Sequence, residues 1–561
     1  MLSKKKGHFI QTTRKNSNSK WKDLLEKLEQ YQIDINYVTD KFSRKLMKDR
    51  DNMKNNKKIS ECVIFAPRSG GSLNKRLKLA QNISMKIFPP KTYNKEGEKW
   101  SITQYSHLIS ELNKNFHQGE RKQYDEEIEL RKLKMSGRFC LLKNRPLSKQ
   151  IMQPTAMPVT VAPINEIEPF LNFLSSNGEI IPNFEENKFS NNNCMKFKRG
   201  AVYDDGRMDM CKQVVGPNWI EQLMESLKNN NKIEHFLLGN NIINTTGALA
   251  IKSFLKSLHL PKIKTWYLAG NCIDSEGIKY ICEGLEEDPD VKYIWLKRNP
   301  INPKGCKYIS NMLKTNNNIK ILDLHNCAIF DEGLGYLIDG INKNKSLRYL
   351  YLDANGITGE GILYLEKYFN NKSDKGITSL WIDMNRLFDD GCEKLLNSLK
   401  NYPYLKRLDI GSNALTSKIC QQIYETFKDS EKLISLDIGT YKSTIDMGET
   451  FNKFDDDNEI DHMCNLIKEN KSLKYLNINN SNISENGIKK IAEALENNNT
   501  LLFLNCSQYN YVMEQFITNK IKNKLKINLI NSGYEITNNT LRYIKHSKNI
   551  RYIDSIYRNK M

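Results

Sequence analysis

The feature that most restricts this 561-residue chain is a pattern, L-x-x-L-x-L-x-x-N-x-I, that recurs ten times. It is read in "IEHFLLGNNII" from Ile233, "IKTWYLAGNCI" from Ile263, "VKYIWLKRNPI" from Val291 and "LRYLYLDANGI" from Leu347. The ten starts are separated by 30, 28, 28, 28, 30, 28, 28, 40 and 28 residues. A fixed period of this length means an array in which each unit buries its apolar face only against its neighbours. Between the strand-like motifs, a Gly opens a run with apolar residues at helical spacing, as in Gly333, Leu334, Leu337 and Ile341, which predicts an amphipathic helix per repeat. The Asn-rich stretches "LKNNNKI", "LKTNNNI" and "LENNNTL" predict helix C-caps in the left-handed conformation that Asn tolerates.

The pattern resembles the leucine-rich-repeat family, and its 28-residue length with a full helix resembles the ribonuclease-inhibitor-like class, over about residues 205 to 525. The resemblance implies an α/β solenoid, a horseshoe with parallel strands on the concave face and helices on the convex one, joined to a mainly helical N-terminal region. Residues 206–227 resemble a degenerate first repeat, and "IRYIDSIYR", 550–558, is expected to supply a closing strand. The expected organisation is a basic, mainly helical region over 1–150, a linker and cap approach over 151–204, repeats over 205–525 and a C-terminal cap over 526–561. "TTGALAIKSFL", 245–255, contains the Gly-Ala-Leu-Ala of a group of bacterial effectors with this repeat type, without an F-box-like segment before it.

One spacing breaks the period, the 40 residues from Leu433 to Leu473. The surplus is placed at 441–461, and its Asp455, Asp456 and Asp457 lack the spacing of a calcium loop, so a solvated loop is expected there. The twelve cysteines are scattered without metal spacing and are read as reduced buried thiols. No phosphate-loop, zinc-protease, hydrolase or kinase signature is present, and no cofactor or metal is expected. His235, His325 and His462 belong to separate repeats with no Cys near them at catalytic or metal spacing, and the shared column of Asp323, Asp409 and Asp437 is read as a product of repetition.

Charge is unevenly distributed. Residues 1–150 hold 34 Lys and Arg against 16 Asp and Glu, a balance of +18, leaving +2 of the chain's +20 for residues 151–561. Apolar faces at 21–31 and 100–116 predict helices in this basic part, and "MQPTAMPVTVAPINEIEPF", 152–170, reads as a Pro-containing linker. Neither a signal segment nor a membrane-length apolar run is seen, so a cytoplasmic location is expected, with a nuclear or host-delivered one as alternatives.

Strand alternation assigns the candidate site. Motif positions four and six, such as Ile294 and Leu296, face the core, so positions three, five and seven line the concave face. They place Tyr267, Tyr293, Trp295, Tyr349, Tyr351 and Trp381 there, interleaved with Asp323, Asp353, Asp383, Asp409, Asp437 and Arg407. Exposed Trp and Tyr are frequent anchors of protein interfaces, and both charge signs suit a protein surface better than a polyanion. Trp266, at position four, is expected in the core. The functional expectation is a non-catalytic scaffold that binds another protein on this face. The alternatives are a nucleic-acid or anionic-membrane adaptor acting through residues 1–150, and an effector with an unrecognised N-terminal activity.

Overall fold

The computed structural model describes residues 162–179 and 194–558, apart from 217, 259, 373, 442–451, 509–511, 536 and 538. The expectations for residues 1–150, both their helices and their basic contacts, lie outside the described residues.

Thirteen three-residue strands form one sheet in strict chain order. β1 (Cys194–Lys196), β2 (Ala201–Tyr203) and β3 (Arg207–Asp209) form an antiparallel meander. All later strands pair in parallel with a one-to-one register, for example Trp295 opposite Asp323 and Tyr351 opposite Trp381. They are β4 (His235–Leu237), β5 (Thr265–Tyr267), β6 (Tyr293–Trp295), β7 (Ile321–Asp323), β8 (Tyr349–Tyr351), β9 (Ser379–Trp381), β10 (Arg407–Asp409), β11 (Ser435–Asp437), β12 (Tyr475–Asn477) and β13 (Phe503–Asn505). A strand of three residues has no stability of its own; stacking creates the core.

After α1 (Ile164–Ser175), a helix follows each parallel strand: α2 (Ile220–Leu227), α3 (Asn244–Lys256), α4 (Ser275–Leu285), α5 (Asn302–Thr315), α6 (Phe330–Lys343), α7 (Gly359–Asn371), α8 (Phe388–Lys400), α9 (Ile419–Phe427), α10 (Ile460–Glu469) and α11 (Glu485–Glu496). The repeated Gly is needed because the first helical turn presses on the preceding repeat. A Cβ at Gly305 would lie 2.5 Å from Ile301 Cγ2 and 2.8 Å from Ile278 Cγ2. The degenerate first repeat is present as β3 and α2, and Trp266 is fully buried in the core between Phe236 and Phe254.

Two asparagine ladders bind the repeats together. At motif position nine, the Asn299 amide donates to Leu268 O and Leu296 O, and its Oδ1 accepts from Asn271 N and Ile273 N. Cys327 stands in this column and donates its thiol hydrogen to Leu296 O. The second ladder revises the expectation for the Asn-rich turns. Asn316, Asn344 and Asn470 follow their helices in extended, not left-handed, backbone. Their amides reach back instead, Asn344 Nδ2 to Leu313 O and Asn316 O, while Oδ1 accepts from Ser346 N and Leu347 N. Left-handed residues fall instead at position eight, as at Asn240, Arg298, Asn326, Ala354 and Asn480, at position ten, as at Ile242, Cys272 and Ala328, and at position twelve, as at Asn244, Asn302 and Phe330.

Three further expectations change. α1 begins inside the stretch read as a linker, because Ile167, Phe170, Leu171 and Leu174 form an apolar face that covers the open first repeat. The extra residues do not extend to 461: Asn452 re-enters the ladder, accepting from Asn413 N and Leu415 N and donating to Ile438 O. Asp457 is not solvated loop either; it accepts from Ser484 Oγ at 2.6 Å and from Asn486 Nδ2 at 2.8 Å, as Asp331 accepts from Thr358 Oγ1 four repeats earlier. The ten described cysteines are free thiols, nine of them buried, and Cys62 and Cys140 lie outside the described residues. No helix among the described residues is long and apolar enough to cross a membrane.

After β13 the chain forms α12 (Gln515–Asn531), then α13 (Thr540–Lys545) and a 3-10 turn, Lys548–Ile553. The expected closing strand at 550–558 is therefore not a strand. Its aromatic residues are used elsewhere.

Candidate functional site

Alternation correctly puts the candidate residues on the concave side of the strands, but they are not in water. Tyr267, Tyr293, Trp295, Asp323, Tyr351, Asp353, Trp381, Asp383, Arg407, Asp409 and Asp437 are all buried, with Trp295 and Trp381 each 3% exposed; only Tyr349 is partly open. The cover is the chain's own segment 540–558, which leaves α12 and crosses the concave face back toward the first strands.

The contacts follow the strands in reverse order. At the C-terminal side, Ile544 packs with Tyr475 and Leu502. Arg407 directs its guanidinium at the end of α13, with Nε donating to Ile544 O at 2.7 Å and a terminal nitrogen to Tyr543 O at 3.3 Å. Lys545 enters between two carboxylates, 2.7 Å from Asp437 Oδ2 and 3.7 Å from Asp409 Oδ2, and its ammonium lies 5.4 Å from the Tyr475 ring centroid. His546 then stacks on Trp381 and Tyr351, which stack on each other 3.9 Å apart.

Toward the N-terminal side, Tyr552 stacks on His235 at 4.1 Å and lies parallel to Tyr293 at 6.2 Å. Tyr293 Oη also donates to Asn549. Ser555 Oγ and Ile556 N donate to the two oxygens of Asp209 at 3.0 Å each. Tyr557 Oη donates to Gly200 O, and Arg558 covers the Tyr267 ring at 4.1 Å and donates to its hydroxyl. Tyr267, Tyr293, Trp295, Ile321, Tyr351, Trp381 and Ile553 thus make a second apolar cluster on the opposite side of the sheet from the repeat core.

The acidic column has two separate tasks. At position five, one carboxylate oxygen accepts the N–H two residues on: His325 N to Asp323, Gly411 N to Asp409 and Gly439 N to Asp437. This bond ends the strand and is structural. The remaining oxygens, with Asp353 and Asp383 at position seven, form a carboxylate row to which Tyr441 adds its hydroxyl, 3.4 Å from Asp409 Oδ2.

Burial and mutual repulsion raise three acids of this row, Asp353, Asp383 and Asp409. Asp353 is pushed up to about 7, by burial first and by the neighbouring Asp409 and Asp323, and Asp383 and Asp409 stand well above the ordinary value for the same causes. Burial alone would depress Lys545, but Asp409 and Asp437 outweigh it and hold the ammonium charged. Burial beside Lys545 and Arg407 keeps His546 neutral, far below its usual titration range, and burial lowers His235 to about 4. Among the described residues, no cluster of three or more His, Cys, Asp or Glu side chains could hold a metal.

Sequence reasoning found the floor of this site and missed its roof: Lys545, His546, Asn549, Tyr552, Ser555, Tyr557 and Arg558, with Asp209 and Tyr441. The available signal was a surplus of large aromatic side chains on one face. A patch of that size is seldom left bare on a soluble chain.

The comparison with protein-family profiles agrees with the repeat architecture. The family profile described as "Leucine Rich repeat" matches residues 259–282, 315–337, 343–365 and 469–492. No curated protein sequence matches the chain. Similar solved structures include the leucine-rich repeat-containing protein LegL7 from Legionella pneumophila, at 15% identity over 57% of this chain and 96% of that one, TM-score 0.34. An internalin from Listeria monocytogenes matches at 16% identity over 62% of this chain and 92% of its own, TM-score 0.30. The Rad7 and Elc1 complex in yeast matches at 13% identity over 70% and 96%, TM-score 0.29. Each profile match spans one strand of the sheet and the start of the helix after it, and on that agreement of sequence unit with structural unit the chain is a leucine-rich-repeat protein.

Proposed function

We propose that this chain is a non-catalytic scaffold whose concave face receives a polypeptide segment of a partner protein. One observation carries the reading: the face already holds a polypeptide, residues 540–558, by ring stacking, by a lysine between carboxylates and by donors aimed at main-chain carbonyls. Those are the interactions with which interfaces recognise a peptide rather than a small metabolite. Tyr267, Tyr293, Trp295, Asp323, Tyr349, Tyr351, Asp353, Trp381, Asp383, Arg407, Asp409 and Asp437 are the proposed contact set, as alternation along the strands suggested. The row of carboxylates opposes a polyanion on this face.

Photo-crosslinking tests the proposal. A crosslinkable residue is placed at Lys297 or His325, partly open beside the concave floor, and separately at Leu249 or Tyr364 on the exposed helical side. The full chain is then captured from the cells that make it. Partner adducts concentrated at Lys297 and His325 support the concave face; adducts confined to Leu249 and Tyr364 contradict it.

A further inference from the structure

Residues 540–558 do more than close the end of the array, and the way they fit the face defines what could replace them. We propose that this segment is an intramolecular ligand that excludes the partner, and that the partner presents the same chemistry: a polypeptide segment with a cationic side chain for the Asp409–Asp437 pair and an aromatic ring for the slot between His235 and Tyr293. The inference rests on the concave face being the recognition surface.

The receiving groups are unevenly satisfied by residues 540–558. Four carboxylates, Asp353, Asp383, Asp409 and Asp437, line β8 to β11, and the segment supplies one cation to them, Lys545; His325 Nδ1 lies 3.3 Å from Asp353. Asp383 Oδ1 and Trp295 Nε1, both on the buried floor, and Arg558 Nε in the segment make no hydrogen bond among the described residues. A buried polar atom left unmade costs far more than a made bond returns. A segment with a second cation or an added acceptor would satisfy groups that residues 540–558 leave unpaired.

Specificity is split between two ends. Arg407 donates to main-chain carbonyls of the segment and reads no side chain. The cation site and the ring slot do read side chains, so they set the chemical class. The segment is short and tethered close to its site by residues 532–539, which gives an effective concentration on the order of millimolar. A competing segment therefore binds with its intrinsic affinity multiplied down by the small fraction of open chain.

Exchange with a synthetic peptide is the test. The probe is a fluorescently labelled peptide of residues 540–558, titrated onto the full wild-type chain and onto the full chain carrying Lys545→Glu with Tyr552→Ala. The double variant is expected to bind the probe at least about tenfold more tightly, and adding Asp437→Lys is expected to remove that gain. The milder Lys545→Gln keeps the test valid if the double variant misfolds, and it should bind the probe more tightly than wild type by a smaller factor. Equal binding by wild type and both variants, or a gain that survives Asp437→Lys, overturns the proposal. Failure of the concave-face reading looks different: the peptide exchanges as described, while partner crosslinks map to the helices.

Discussion

The two sides of the same three-residue strands are equally dry and are buried by different means. On one side, Ile294, Leu322 and Leu350 meet residues of their own and adjacent repeats, so position four is apolar wherever the pattern runs. On the other, Trp295, Asp323 and Tyr351 are covered by a segment some 200 residues later, and that column changes from aromatic to acidic along the array. Burial in the core is thus built from near neighbours, whereas burial on the concave face depends on one segment staying in place. The first kind is lost only with the fold. The second can be lost while the solenoid remains.

Substitutions of equal size on the two sides should therefore cost different amounts. Trp266→Ala removes a fully buried indole between Phe236 and Phe254 and is expected to cost about 3–5 kcal/mol in urea unfolding. Trp381→Ala removes a stack with Tyr351 and His546, but the roof can lift instead of leaving a cavity, so about 1–3 kcal/mol is expected. Equal losses would erase the distinction between the two sides.

The acidic row gives a pH test in the same terms. The Asp353 carboxyl, raised from 3.8 to about 7 in the folded chain, binds its proton more tightly there than when unfolded. Its contribution is fully favourable below about pH 4 and is lost as the pH rises through about 7. Asp353→Asn should therefore raise the melting temperature at pH 8 and do so much less at pH 5; the same gain at both values would remove the buried-row account. The smallest effect is predicted on the outer helices. Lys252 and Glu283 form a 2.6 Å ion pair there, each side chain about a third exposed, and Lys252→Ala should change stability by no more than about 1 kcal/mol.

The same division explains what could be read in advance. Position four, Trp266 and the first repeat at 206–227 are set by periodicity and by contacts one repeat away, so they are legible in the chain. So is membership of the concave column, because alternation fixes which side Trp295 faces. Its cover is not legible: Ser555 meets Asp209 across 346 positions and Tyr557 meets Gly200 across 357, and no local pattern records such a pairing. The Asn-rich turns were misread for a related reason. Local propensity suggests a left-handed cap, but the Asn344 amide gains two carbonyls of the preceding repeat by staying extended, and an inter-repeat bond outweighs a local preference.

Hydrogen exchange over residues 540–558 of the intact chain tests most directly whether this segment is the roof of the concave face. The account predicts protection in the wild-type chain, with amides around Ile544 and Ile556 exchanging far more slowly than in the free peptide, and loss of that protection in Lys545→Glu while α5 and α6 stay protected. Exchange of 540–558 at the free-peptide rate in the wild-type chain would contradict it.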